Sequence, residues 1–290
     1  MEYLYYPGCS LESSGRAYDE SLRAVFRTLG VGLRELEDWN CCGATMYMSV
    51  DETISLAIST RNLALAEQNG GRDLLAPCSA CYTVLLKTNR FLRESPDLKA
   101  KVDRVLGETG LRYGLSVAVR HPLDVLVNEI GIETITRAAK RRLGGLVFAP
   151  YYGCQIVRPE RGFDHCEFPE SMDRLFERLG ATCAYFPLKT RCCGAMLMTM
   201  FPDVCLRLIK DLLECAVESG AQCVLTTCPL CQMNLEAYQK PVNKAFGTSY
   251  EMPVLYFTQL LGLALGCTEE ELGLPRNLIP LKAALPAAAA

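Results

Sequence analysis

Residues 40–43 read Asn40-Cys41-Cys42-Gly43, and residues 191–194 read Arg191-Cys192-Cys193-Gly194. Two adjacent cysteines followed by glycine, met twice in one chain, are the centre of a longer pattern. Cys9 stands before the first pair, and Cys78 and Cys81 follow it in Cys-x-x-Cys spacing. Cys154 stands before the second pair, and Cys228 and Cys231 follow it in the same spacing. The gaps are 31 and 35 residues in the first set and 37 and 34 in the second, so ten of the sixteen cysteines form two matched sets of five. The duplication extends beyond the thiols. The stretch ESLRAVFRTLG at residues 20–30 aligns with ESMDRLFERLG at 170–180, an offset of 150. Leu22, Val25, Phe26 and Leu29, like Met172, Leu175, Phe176 and Leu179, fall at helical spacing, and Gly30 and Gly180 stop the helices.

Outward from these anchors the order of elements repeats. A short apolar strand, 3–6 or 145–151, runs to the first cysteine. A helix follows, then the double-cysteine turn. A second helix opens near Asp51 or Asp203, both read as N-caps, and closes at Gly70-Gly71 or Gly220. A strand, 73–76 or 222–226, enters Cys-x-x-Cys, and a helix, 82–92 or 232–238, leaves it. Residues 93–145 add a strand at 115–120 and a helix at 122–130. The expectation is an α/β chain of two homologous halves, 1–145 and 146–270, with a tail at 271–290. Each half has a small parallel sheet flanked by helices, and a pseudo-twofold relates the two. The cysteines then lie at the carboxyl ends of strands, where such folds bind ligands.

The 290 residues are half apolar with a net charge of −3, which gives no basic surface for nucleic acid. The N-terminus carries no signal-like segment. The longest apolar tract, 252–267, is broken by Thr258 and Gln259 and is too short for a membrane span, so a cytoplasmic location is expected. In that reducing compartment abundant cysteine points to metal or redox chemistry. The two histidines, His121 and His165, are too few for imidazole-built metal sites and read as structural, with a proton-donor role for His165 the lesser alternative. No Gly-x-Gly-x-x-Gly or P-loop is present, and Gly30-Val31-Gly32 lacks the third glycine, so no flavin or nucleotide site is expected in this chain.

Four thiolates satisfy a tetrahedral zinc or a cubane iron–sulfur cluster; each half here offers five. Adjacent cysteines close poorly on one ion but can face different irons of a polynuclear cluster. The glycine after each pair opens backbone N–H groups to sulfur, and a helix start at each Cys-x-x-Cys offsets negative charge. Paired structural zinc sites, each with a spare cysteine, are the alternative. Cys166, Cys183, Cys205, Cys215, Cys223 and Cys267 have no counterparts between halves and read mostly as small buried hydrophobes. Met46, Met48, Met196, Met198 and Met200 follow the glycine turns and read as packing residues, with the lining of an apolar cavity around each cluster as the lesser alternative.

The two cysteine sets resemble the CCG domain. Tyr6-Pro7-Gly8-Cys9, Asn40-Cys41-Cys42-Gly43 and Cys228-Pro229-Leu230-Cys231-Gln232 resemble the B subunit of heterodisulfide reductase. The resemblance spans residues 1 to about 265. It implies two non-cubane [4Fe–4S] clusters, one on Cys9, Cys41, Cys42, Cys78 and Cys81, the other on Cys154, Cys192, Cys193, Cys228 and Cys231. It implies reduction of the coenzyme M–coenzyme B mixed disulfide, or a related disulfide of methanogenesis or other anaerobic metabolism, between the clusters. Catalytic residues beyond the cluster ligands are unassigned. Electrons would come from a ferredoxin-like C subunit and a flavin-containing A subunit, because this chain lacks a cubane-type cysteine run. Two one-electron clusters beside one S–S bond match a two-electron cleavage. The alternative is a CCG electron-transfer component of a hydroxyacid or glycerol-3-phosphate oxidising complex. Pattern onset at Cys9, with no fused ferredoxin segment ahead of it, favours the reductase. The substrate's anionic arms would call for cations beside the clusters, and Lys189 and Arg191, just before Cys192, are the candidates. The apolar stretch 254–265 reads as a core helix, with a docking face as the lesser alternative.

Overall fold

In the computed structural model, which describes residues 1–44, 51–71, 73–157 and 162–281, two four-stranded parallel sheets stand side by side. The first half runs β1 (Glu2–Tyr5), α1 (Gly8–Leu11), α2 (Arg16–Thr28), β2 (Gly32–Glu35), α3 (Glu52–Gln68), β3 (Asp73–Leu75), α4 (Ser79–Glu94), α5 (Pro96–Gly107) and β4 (Ala118–Arg120). A linking segment follows: α6 (Pro122–Asp124), a π-helix (Val125–Gly131) and α7 (Ile132–Ala138). The second half runs β5 (Val147–Tyr151), α8 (Ser171–Arg178), β6 (Thr182–Cys183), α9 (Pro202–Glu218), β7 (Cys223–Thr226), α10 (Pro229–Ala237), α11 (Gln239–Phe246), β8 (Val254–Tyr256) and α12 (Phe257–Leu265). The sheet orders are β2-β1-β3-β4 and β6-β5-β7-β8, one topology used twice. The expected α/β duplication is thus the architecture observed.

Local chemistry explains the repeated helices. Leu22, Val25 and Phe26 of α2, and Met172, Leu175 and Phe176 of α8, are all fully buried. Gly30 (φ 72°) and Gly180 (φ 98°) take the left-handed conformation that ends both. In each case the next amide reaches back to close the last turn, Val31 to Phe26 O at 2.9 Å and Ala181 to Phe176 O at 3.0 Å. Asp51 caps α3 as expected, accepting from Ile54 N at 2.9 Å. Asp203 does not cap α9. Pro202 takes the first helical position and Phe201 the cap, so Asp203 falls inside the first turn. The strand expected over 115–120 is confined to Ala118–Arg120, and the helix expected over 122–130 becomes α6 plus the π-turn. The short strands β2, β6 and β8 were not anticipated.

The halves exchange helices. α12, from the second half, packs on α2 of the first: Ser21 Oγ and Thr258 Oγ1 meet at 2.6 Å in the buried interface. Reciprocally the linking segment of the first half lies against α8, with Glu133 paired to Arg178. Residues 254–265 are buried throughout, so this stretch is β8 and a core helix and offers no docking face. Past α12 the chain returns to the first half, where Arg276 pairs with Glu20 at 2.8 Å. Residues 282–290 of the expected tail lie outside the described residues.

Candidate metal centre

β1 delivers Tyr6 and the turn into Cys9. Gly8 there has φ 70°, and a Cβ on it would lie 3.1 Å from Cys81 Sγ and 3.4 Å from the Tyr6 ring. Tyr6 donates its hydroxyl to the carbonyl of Asn40, the residue before the cysteine pair, at 2.8 Å. α3 grips the same turn. Asn62 accepts from Asn40 N at 2.9 Å and donates to Asn40 O at 3.0 Å, while Ser59 donates to Cys42 O at 2.7 Å. The turn sets its two cysteines in unlike surroundings. Cys41 is exposed, with its sulfur 3.9 Å from that of Cys9; Cys42 is buried, 3.2 Å from Cys81. Cys78 occupies the cap position of α4, so Cys78 and Cys81 straddle a helix start as expected.

The second half repeats the glycine and tyrosine devices and holds its turn from α10. Gly153 (φ 72°) would place a Cβ 3.2 Å from Cys231 Sγ. Tyr151 donates to the carbonyl of Arg191, again the residue before the pair, at 2.7 Å. Asn234 holds Cys193 O at 2.8 Å. Cys193 and Cys231 lie 3.7 Å apart, and Gly194 N approaches Cys192 Sγ at 3.3 Å. Gly43 and Gly194, at φ 77° and 79°, make the turn that brings these amides to sulfur. Cys228 caps α10.

The two five-thiol sets meet at the interface. Cys78 and Cys228, one from each half, lie close enough to shift each other's titration. Beside them Ser79 donates to Thr227 O at 3.1 Å. His121, fully buried, accepts from Leu123 N at Nδ1 (3.1 Å), so Nε2 carries the proton and donates to Pro77 O at 2.9 Å. The carbonyl of Thr227 also lies within reach of this ring. One imidazole therefore ties the residues preceding both Cys-x-x-Cys helices. Burial lowers its pKa to about 4, which keeps it neutral.

The thiols polarise one another. Hydrogen bonds from Cys41 and then Cys81 draw Cys42 down to about 4. Cys154 draws Cys192 down to about 6. Cys231 and Cys78 hold Cys228 well below its ordinary value. The donors Cys41, Cys154 and Cys78 are raised in turn. Thiolates paired with protonated neighbours and approached by backbone amides suit an electrophilic metal that would ionise the whole set. Among the described residues no three His, Cys, Asp or Glu side chains converge at single-ion spacing. Each half offers five thiols, one more than a tetrahedral ion takes.

A cavity of about 120 Å³ opens at the interface of the halves. It touches all five cysteines of the second set and reaches Ala44, Ala80 and Val84 of the first half. Lys189 and Arg191 do not line it. Lys189 Nζ pairs with Asp173 at 2.5 Å and donates to Pro169 O at 2.8 Å. Its carbonyl accepts from the amides of Tyr152 and Gly153, which lead into Cys154. Arg191 is half-exposed and pairs with Asp211 at 3.1 Å. His165 is bound up in its own loop, its Nδ1 accepting from Phe168 N at 3.0 Å. Met196 reaches the cavity; Met200 is exposed; Met46 and Met48 lie outside the described residues.

Ser59, Asn62, Asn234 and His121 escaped sequence reasoning because their partners are backbone carbonyls, which leave no spacing signature. Tyr6 and Tyr151 did carry one: each stands three residues before the first cysteine of its set.

The family model for the cysteine-rich CCG domain matches this chain twice, over residues 3–86 and 148–236. The chain is 34% identical over 280 residues (96% of this chain, 97% of the relative) to the 8-methylmenaquinol:fumarate reductase membrane anchor subunit of Wolinella succinogenes. It is 33% identical over 277 residues (94% and 92%) to the B subunit of the ferredoxin/F(420)H(2)-dependent CoB-CoM heterodisulfide reductase of Methanosarcina acetivorans. A protein of Archaeoglobus profundus named as like the heterodisulfide reductase B subunit is 30% identical over 278 residues, 93% of each chain. Among solved structures, a hypothetical protein from Helicobacter pylori shares the fold with a TM-score of 0.79 at 16% identity. The match covers 97% of this chain and about half, 52%, of that one.

Proposed function

Since the chain belongs to the CCG cysteine-rich domain family, in company with heterodisulfide reductase B subunits, we propose that it is the cluster-bearing catalytic component of an oxidoreductase complex that cleaves a disulfide into two thiols. One observation carries this reading: two five-thiol sets abut at Cys78 and Cys228, with a cavity at their junction. Cys9, Cys41, Cys42, Cys78 and Cys81 would hold one non-cubane [4Fe–4S] cluster and Cys154, Cys192, Cys193, Cys228 and Cys231 the other. When bound, such clusters supply electrons one at a time, and a disulfide takes two electrons and two protons to become two thiols. Ala80, Val84 and Leu230 give the junction an apolar lining, and among the described residues Gln155 is the one polar non-thiol side chain that lines the cavity. We assign Lys189 and Arg191 to an anionic substrate arm at the rim of the second set. Arg191→Ala should then raise KM for an anionic disulfide several-fold and leave a small neutral disulfide unaffected; equal KM values would reject the assignment. Electrons would arrive from separate chains of the complex, a ferredoxin-like C subunit and a flavin-containing A subunit.

A second reading has its own support. The relative from Wolinella succinogenes matches over nearly its whole length and is named for fumarate reduction by a quinol. On this reading the chain relays electrons and releases no thiol, as in a quinol-, hydroxyacid- or glycerol-3-phosphate-linked complex. Among the described residues no helix is long and apolar enough to cross a membrane. Anaerobic purification with iron and sulfide analysis, followed by reduced viologen and a panel of disulfides including the coenzyme M–coenzyme B heterodisulfide, separates the two. Thiol release supports the reductase. Clusters that cycle with no thiol released from any disulfide support the relay.

A further inference from the structure

Tyr18, in the first turn of α2, is wholly buried, and its hydroxyl has no hydrogen-bond partner. Its ring stacks on Tyr256 at the end of β8, with centroids 4.5 Å apart and planes 7° from parallel, so the stack crosses between the halves. The head of α2 presses on the start of α10: a Cβ on Gly15 would come within 2.9 Å of Pro229 Cβ, next to Cys228. The charges its phenolate would meet are those of Cys228 first and Cys78 second; with burial they keep it a neutral donor. A buried hydroxyl that lacks a partner, on a helix packed against the segment that carries Cys228, points to an acceptor that joins it later.

Its counterpart sharpens the point. In the repeat aligned at an offset of 150, Tyr18 falls opposite Phe168, which is 69% exposed. One half therefore has a buried hydroxyl at this position and the other has none. We propose that the Tyr18 hydroxyl donates a hydrogen bond to sulfur of the cluster held by Cys228, and so sets the reduction potential of that cluster apart from its twin. Donation to cluster sulfur stabilises the reduced, more negative form and raises the potential. Two sites with identical ligand sets would then differ in driving force, giving electron flow a direction across the junction.

The inference rests on the cluster-binding reading, and the test keeps the two apart. Iron, sulfide and the potentials of both clusters are measured by redox titration with EPR detection in wild type and Tyr18→Phe. The expected result is a negative shift confined to one cluster, on the order of tenfold in its one-electron equilibrium constant, about 59 mV. Melting of the cluster-free variant should not fall below that of cluster-free wild type, since the hydroxyl there bonds to nothing. Unchanged potentials, or equal shifts in both clusters, would overturn the inference while leaving cluster binding intact. Wild type without iron would overturn both. If Tyr18→Phe takes up no cluster, Tyr18→3-fluorotyrosine decides. It keeps the ring and strengthens donation, so a positive shift is expected, and no shift would overturn the proposal.

Discussion

Single atoms decide much of this site. Gly8 and Gly153 leave room for Cys81 and Cys231, and both hold φ near 70°. Gly8→Ala combines strain with a 3.1 Å contact to the Cys81 sulfur, so the iron found on analysis should fall well below that of wild type. Among the cysteines, Cys41→Ser or Cys192→Ser should change the cluster spectrum and end turnover, whereas Cys215→Ser or Cys267→Ser should do neither. His121 makes a pH prediction. Its folded pKa, near 4, lies below the unfolded value, so the unfolded chain binds the extra proton first. Stability should be complete above about pH 6.5 and should fall as pH drops toward 4, by on the order of 3 kcal/mol, in denaturant titrations; His121→Gln should flatten the slope. The grouping of the ten thiols was legible in the sequence because their spacing recurs between the halves. His121 was not: its role depends on two carbonyls, of Pro77 and Thr227, that only folding brings together.

At the scale of elements, α2 and α8 were readable from apolar period, since a helix writes its buried face every three or four residues, and α3 and α9 from their start and stop residues. β2 and β6, four and two residues long, are too short to show a period. β8 was hidden inside an apolar run continuous with α12, because a fully buried parallel strand and a buried helix are equally apolar. Asp51 and Asp203 show how a shared residue type can hide unlike roles. Asp51→Ala removes a cap and should cost roughly 0.5–2 kcal/mol of stability. Asp203→Ala should change melting little, because Pro202 already sets the start of α9. Equal losses would mean that Asp203 holds something other than its own helix.

On the scale of the molecule, the exchange of α12 and the linking segment makes each half a part of the other's core. The two sites therefore do not belong to separable bodies. The imidazole of His121 sharpens this, since it holds the residue before each Cys-x-x-Cys helix at once. When iron and sulfide enter one set, α4 or α10 settles against that shared clamp and the opposite helix start is ordered with it. Filling should then be all-or-none. In a limited iron titration followed by native mass spectrometry, empty and doubly loaded chains should dominate at the midpoint, with few singly loaded ones. His121→Ala should let singly loaded chains accumulate. A statistical distribution in wild type would show that the halves mature independently. Where filling is all-or-none, a cell short of iron would hold fewer complete proteins instead of many half-built ones, and no chain would carry one electron to a disulfide that needs two.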